Sequence, residues 1–210
     1  MKITYPQKPI IFNLDDFSEE MMTQELWKNI LEFKKLYQNF KVTMFTVPLL
    51  CSRSWLETIQ KLDWIQMHYH GSDHKDKNEW FNKTEINLPF PDLFYKGFKA
   101  PWWRMDQKTA NFFISREFVI STSRHSPPII GPKIYQFDKG LEIIPNVWYE
   151  NRFTTIHSHV QHQKGNDGLP DILDKLINKF NRNRPFLFIS DLYSSGGGVK
   201  PLHSEGMFAL

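Results

Sequence analysis

Apolar residues follow two patterns along the chain, and the two patterns alternate. Short apolar runs bounded by polar residues or Pro predict buried strands, whereas apolar residues at every third or fourth position predict amphipathic helices. Strands are predicted over residues 9–14, 41–48, 64–70, 94–103 (broken at Pro101), 119–123, 152–160 and 185–190. Helices are predicted after an N-cap at Ser18 as far as Tyr37, and over residues 54–62, 106–118 and 169–180.

The alternation of strand and helix favours an α/β fold with parallel strands. Residues 124–150 are rich in Pro and Gly and are expected to form a loop with one or two strands. The segment from about residue 194 reads SSGGGVKPL, which is typical of a flexible tail. Because no repeat or linker divides the chain, residues 1–210 are expected to form a single domain.

Polar side chains collect where several of the predicted strands end. These groups are Asp15–Asp16, His70–His74, Lys99–Pro101 and His157–His159. In parallel α/β folds, functional sites lie at the carboxyl ends of the strands. The four groups are therefore expected to belong to one site.

Six of the eight histidines fall into two groups. The groups are His68, His70 and His74, and His157, His159 and His162. His70 and His74 are spaced i, i+4, so a helical turn after the strand would place both rings on one face. With a carboxylate from another strand end, they could hold a metal ion that keeps positions open for water and substrate. Gly71 would permit the tight turn between them. The alternative is that the spacing of His70 and His74 arises by chance. His68 is expected to be a core or supporting residue.

The segment FNLDDF places two carboxylates, Asp15 and Asp16, at the end of the first strand. In one interpretation, one carboxylate binds the metal and the other lies beside the water that the metal activates. In the other, Asp16 or Ser18 caps the helix that follows. The residues by themselves leave both interpretations open.

Composition narrows the classes of function. A net charge of +3 without a Lys/Arg run argues against a nucleic-acid partner. The single cysteine, Cys51, excludes an internal disulfide framework and is expected to be a small buried side chain. No segment resembles a signal peptide or a membrane span, so a cytoplasmic location without a membrane partner is expected.

Aromatic residues make up 15% of the chain and can fill a core or line a carbohydrate groove. The candidates for a groove are Trp80, Phe81, Trp102, Trp103, Trp148 and Tyr149. A core position is the alternative for each of them. The pair Trp102–Trp103 is favoured for the groove, because adjacent strand residues point to opposite faces and cannot both enter one core.

Taken in order, the segments FNLDDF, HGSDH, FKAPWW and TTIHSHV resemble the motifs of the polysaccharide deacetylases, the NodB-homology carbohydrate esterases. The resemblance extends from residue 9 to about residue 160. It implies a distorted parallel (β/α) barrel of about seven strands. It also implies a metal-dependent hydrolase that removes an acetyl group from an N-acetylated sugar or polysaccharide, with a carbohydrate as its partner.

The resemblance also implies roles for individual residues. Asp15 would be the catalytic base, and Asp16, His70 and His74 would bind a divalent metal ion, most simply zinc, with cobalt, nickel and iron as alternatives. His157 would be the general acid, and His159 competes with it for that role. Pro101, Trp102 and Trp103 would line the acyl pocket or the sugar groove.

Three departures from the family pattern affect the site. Lys99 stands where the family has Arg, and Arg104 is a possible substitute. The aspartate of the fourth motif has no clear counterpart other than Asp138, and Phe17 replaces a common Gly. These departures favour, as the alternative, a glycan-binding protein of the same fold with impaired catalysis. A third reading is an α/β protein whose histidines are structural.

Overall fold

The computed structural model describes residues 8–123, 128–137, 144–145, 153–161 and 168–194. The strands are β1 (Ile10–Phe17), β2 (Val42–Thr46), β3 (Ile65–His70), β4 (Gly97–Lys99), β5 (Val119–Ser123), β6 (Ile134–Phe137), β7 (Ile144–Pro145), β8 (Thr154–His159) and β9 (Phe186–Leu187). The helices are α1 (Gln24–Leu36), α2 (Arg53–Gln60), α3 (Gln107–Ile114), α4 (Leu169–Lys179) and α5 (Asp191–Ser194).

Seven parallel strands form a curled half-barrel with helices between them. Their order is β6-β5-β4-β3-β2-β1-β8, with the short β7 antiparallel to β8 and β9 parallel to the start of β1. The sheet is not closed within the described residues, where β6 and β7 form its two ends. The predicted fold, a distorted parallel (β/α) barrel, is therefore confirmed.

Strands β1 to β5 are buried along their whole length because both faces of the sheet are covered. Every residue of β1, from Ile10 to Phe17, is buried, as expected for parallel strands. Aromatic rings pack against one another in the core, where the ring of Phe40 lies 5.0 to 5.6 Å from those of Phe33, Phe186 and Phe12. Much of the high aromatic content therefore fills the core, at separations typical of favourable ring pairs.

Most predicted elements are confirmed to within a few residues, but the start of the first helix is wrong. Thr23 is the N-cap of α1, and its hydroxyl accepts from the backbone N–H of Leu26. Ser18 is buried and accepts instead from the backbone N–H of Met21 in the preceding turn. The strand therefore continues through both aspartates, which are followed by a turn before the helix begins.

Two predicted strands are shorter than expected. Residues 94–103 contain only the three-residue β4, followed by a 3-10 turn over Pro101–Trp103. Of residues 185–190, only Phe186–Leu187 pair as a strand.

No helix in the described part of the chain is long and apolar enough to cross a bilayer. Asp138, Trp148, Tyr149, His162 and the predicted tail beyond residue 194 lie outside the described residues.

Candidate active site

Four strand ends bring their polar residues to one place. Asp15 and Asp16 end β1, His70 ends β3, Lys99 ends β4, and His157 and His159 end β8. In a flat sheet, three strand spacings of about 4.8 Å would keep β1 roughly 14 Å from β4. The curl of the half-barrel closes that gap, and the Lys99 ammonium donates directly to Asp15.

A local break in β1 turns both aspartates toward this place. Successive strand residues normally point to opposite faces. Asp16 has a left-handed backbone, with φ of 59°, and the pairing of β1 with β2 shifts register between Leu14 and Phe17. Asp15 and Asp16 are therefore both buried, at 3% and 7% exposure, and both lie against His70.

Asp16, His70 and His74 converge on a volume the size of a metal ion. The Oδ1 atom of Asp16 lies 3.4 Å from Nε2 of His70 and 3.2 Å from Nε2 of His74. Ligand atoms about 2.1 Å from a tetrahedral ion lie roughly 3.4 Å apart. The Nδ1 atom of His70 lies 3.1 Å from the carbonyl oxygen of Lys99 and donates to it, which leaves Nε2 as the ring atom that faces Asp16. The donor set therefore fits a divalent ion.

The turn that joins the two histidines is not helical, which corrects the expected geometry. Gly71 has φ of 69° and His74 has φ of 59°, and residues 72–74 form bends. A Cβ atom at residue 71 would lie 2.7 Å from Cγ of Pro101, so the close approach of Pro101 also requires glycine. The two imidazoles thus converge through left-handed backbone and not through helical spacing.

Lys99 is buried and supplies the positive charge beside Asp15. Burial alone would raise the pKa of the Asp15 carboxyl, but the charge of Lys99 opposes it and the pKa is lowered. Burial lowers the pKa of Lys99 to about 8, although Asp15 opposes this shift. Asp15 is therefore ionised at neutral pH and Lys99 is its nearest cation. Arg104, the other predicted candidate, is exposed, with its guanidinium 5.7 Å from the ring of Phe81.

His157 is oriented by Asn13, a residue that the sequence analysis missed. The side-chain amide of Asn13 donates to the carbonyl of Ile156, so its oxygen faces His157 and accepts from Nδ1 at 2.8 Å. The Nε2 atom of His157 then carries a lone pair and lies 3.6 Å from Oδ2 of Asp15. Burial, followed by the charge of Lys99, lowers the pKa of His157 well below its usual range. Asn13 could have been recognised as a candidate from the sequence, because it is a polar residue in an otherwise apolar run, two positions before Asp15.

His159, the alternative general acid, lies on the same face of β8 as His157. Its Nε2 atom is 3.9 Å from Oδ2 of Asp15, and its side chain is more exposed, at 17% against 9%. Both imidazoles thus lie within a proton-relay distance of the predicted base, and the assignment of the general acid between them stays a prediction.

The sequence analysis also missed Gln161. Its side-chain amide donates to Oδ2 of Asp16 at 3.1 Å.

The two tryptophans of FKAPWW cover different parts of the site. Trp102 and Trp103 belong to the 3-10 turn and have φ of 53° and 61°, so the expected strand alternation is wrong. The ring of Trp102 lies 4.3 Å from the ring of His74 and is 39% exposed. The ring of Trp103 lies 3.6 Å from the ammonium of Lys99, a cation–π contact.

Two of the other predicted candidates belong to the core. Trp80 is 3% exposed and packs against the ring of Phe98. His68 is fully buried, and burial lowers its pKa to about 3. The neutral ring of His68 donates from Nε2 to the side-chain oxygen of Gln66 at 2.8 Å. His68 therefore supports the strand and does not reach the triad of Asp16, His70 and His74.

The parallel (β/α) half-barrel thus carries this cluster of carboxylates and imidazoles at the carboxyl ends of its strands. No protein-family model matches the sequence, and no curated protein matches it. The chain is similar in structure to the Xyl-CE4 domain of a multidomain xylanase from the hindgut metagenome of Trinervitermes trinervoides. The two have 14% identity and a TM-score of 0.51, and the match covers 93% of this chain and 95% of that one.

Two other solved structures show the same likeness. A deacetylase solved with substrate is 12% identical with a TM-score of 0.50, covering 93% of this chain and 94% of its own. A family 4 acetyl xylan esterase from Clostridium thermocellum, in complex with a cobalt ion, is 14% identical with a TM-score of 0.50, covering 89% and 90%. Two of the three neighbours bear the CE4 or family 4 designation, and this chain shares their fold, so the resemblance predicted from the motifs is confirmed at the level of the fold.

Proposed function

We propose that the protein is a divergent polysaccharide deacetylase that uses a divalent metal ion to remove an acetyl group from an N-acetylated sugar or polysaccharide. The observation that supports this most directly is the convergence of Asp16, His70 and His74 beside a second carboxylate, Asp15, that is held by a buried lysine. The structural neighbours include a deacetylase and an acetyl xylan esterase, and one of them was solved with cobalt.

Asp16, His70 and His74 would hold the metal ion, for which zinc is the simplest choice. The ion would supply Lewis acidity, which lowers the pKa of water and polarises the acyl carbonyl. Burial and the neighbouring His70 lower the pKa of His74, which keeps its ring neutral and able to act as a ligand.

Asp15 would act as the general base, because it is ionised at neutral pH and its Oδ1 atom has no hydrogen-bond partner among the described residues. It accepts a proton from water as the water oxygen adds to the acyl carbon. When the carbon–nitrogen bond breaks, His157 or His159 would take this proton from Asp15 and pass it to the departing amine, which leaves Asp15 ionised again. Lys99 holds the Asp15 carboxylate in place throughout.

A surface hollow beside the triad would receive the substrate. It is bordered by Asp16 and His74 and has apolar walls from Met21, Val47 and Leu50. The exposed face of Trp102 is next to His74, where a sugar ring could stack on it. Lys99 and Pro101 lie deeper, since both are buried, and the ring of Trp103 covers Lys99.

The test is acetate release from N-acetylated chitooligosaccharides and from acetylated xylan, by zinc-loaded and chelator-treated protein. Asp15→Asn should lower the rate about 10²- to 10⁴-fold, the usual contribution of a general base. Asp63→Asn, an exposed aspartate before β3, is the matched control and should keep the wild-type rate. Sugar binding without acetate release from either substrate would instead support the glycan-binding alternative.

A further inference from the structure

Asp15, His157 and His159 form a second group of three potential metal ligands, separate from the proposed triad. Their ligand atoms lie within 4.8 Å of one another. The strands β1 and β8 are paired so that Asn13 is opposite His157 and Asp15 is opposite His159. All four side chains therefore follow the same face of two adjacent strands.

The geometry of this second group is close to that of a metal site. Oδ2 of Asp15 lies 3.6 Å from Nε2 of His157 and 3.9 Å from Nε2 of His159, against roughly 3.4 Å for ligands of a tetrahedral ion. Asn13 holds Nδ1 of His157, so its Nε2 lone pair faces the carboxylate. In addition, Oδ1 of Asp15 is buried without a hydrogen-bond partner among the described residues.

The ammonium of Lys99 lies inside this group. Its Nζ atom donates to Oδ2 of Asp15 and lies 3.4 Å from Nε2 of His157. The Trp103 ring covers the ammonium at 3.6 Å, and the lysine side chain is only 1% exposed. A fixed positive charge that uses the same two ligand atoms excludes a divalent cation both by volume and by repulsion, which is strong where water is absent.

We propose that Asp15, His157 and His159 form a second divalent-metal site that Lys99 closes, so that the ammonium limits the protein to one metal ion. The inference rests on the proposed function in one respect only: the first ion is assigned to Asp16, His70 and His74. Lys99 is thus the residue that sets the metal stoichiometry, in addition to its pairing with the base.

The experiment measures zinc bound per chain after equilibrium dialysis of metal-free protein. Lys99→Ala removes the ammonium and should bind one zinc ion more than the wild-type protein. Lys99→Arg keeps a cation there and should match the wild type, as should Lys96→Ala, which removes an exposed lysine just before β4. Adding His159→Ala to Lys99→Ala should return the zinc content to the wild-type value.

The readout is the difference between variant and wild type, which separates this inference from the proposed function. A wild-type protein without zinc would contradict the assignment of the first site, yet Lys99→Ala would still have to gain one ion. Equal zinc content in Lys99→Ala and wild type, or two zinc ions in the wild type, overturns the inference. If circular dichroism shows that the Lys99→Ala protein is unfolded, Lys99→Gln is the second neutral variant. It should also bind one zinc ion more than the wild type.

Discussion

At the scale of single residues, the tightest constraint is the contact between Gly97 and His68. A Cβ atom built at residue 97 would lie 2.0 Å from Nδ1 of His68, closer than any two such atoms can approach. The ring cannot move easily, because it is fully buried and its Nε2 atom is hydrogen-bonded to Gln66. Glycine at residue 97, the first residue of β4, therefore leaves room for the buried ring of His68.

Gly97→Ala should lower the free energy of unfolding by about 2 kcal/mol or more, since overpacking of a core typically costs 1–3 kcal/mol. Urea denaturation measures the change. The matched control is Gly131→Ala, where the nearest atom, 2.7 Å away, is the end of the flexible Ile114 side chain, so a smaller loss is expected. In a His68→Ala background, Gly97→Ala should cost less; an equal cost there would exclude the ring as the cause.

Residue identity predicted the members of the site better than their conformation. The paired aspartates and the His70–His74 spacing are visible in the sequence, and these side chains do converge. The left-handed backbone at Asp16, His74, Trp102 and Trp103 is not visible, because such conformations are rare for these residues and are imposed by surrounding contacts. Asn13 was overlooked because its partner, His157, lies 144 residues away in the sequence.

At the scale of elements, helix starts are determined by side chains that accept from the first backbone N–H groups. Asp106 caps α3 by accepting from the N–H of Thr109 at 2.8 Å, and it also accepts from the N–H of Asn82 at 2.8 Å. One carboxylate thus ties the helix to the loop that precedes β4. Burial alone would raise the pKa of Asp106, but these hydrogen bonds outweigh it and lower the pKa below 3.8.

Asp106→Ala should destabilise the protein by about 1 kcal/mol at pH 7, the usual value of an N-cap. The folded pKa is lowered, so the charged carboxylate stabilises the protein above the unfolded value of 3.8, and this contribution is lost as pH falls through the folded pKa. The difference between wild type and variant, measured by denaturation at several pH values, should therefore be constant above about pH 5 and shrink below pH 4. Asp106→Asn, which keeps one acceptor, should lose less; a gap that widens in acid would contradict this account.

At the scale of the whole molecule, a metal ion bound by Asp16, His70 and His74 would link elements that are distant in sequence. Asp16 belongs to β1, whereas His70 ends β3 and His74 follows it, and β2 lies between the two strands in the sheet. A ligand that binds only the folded state stabilises it in proportion to the logarithm of its concentration. The melting temperature should thus report metal binding without any enzymatic assay.

Zinc at 100 times its dissociation constant should stabilise the protein by about 2.7 kcal/mol and raise the melting temperature accordingly. The increase should be absent in Asp16→Ala and in His74→Ala, and a chelator should reverse it in the wild type. Asp73→Asn changes a carboxylate in the same loop outside the triad, and it should keep the increase. An equal increase in His74→Ala and wild type would place the zinc elsewhere.

The amino-acid sequence by itself determined the order of strands and helices, the parallel α/β class and the residue types at the strand ends. These follow from hydrophobic periodicity and from the position of polar residues after apolar runs, which are local properties. Only the tertiary structure decided which of these residues meet. Lys99 reaches Asp15 across two intervening strands because the sheet curls, and the curl depends on the packing of the whole sheet rather than on any one segment.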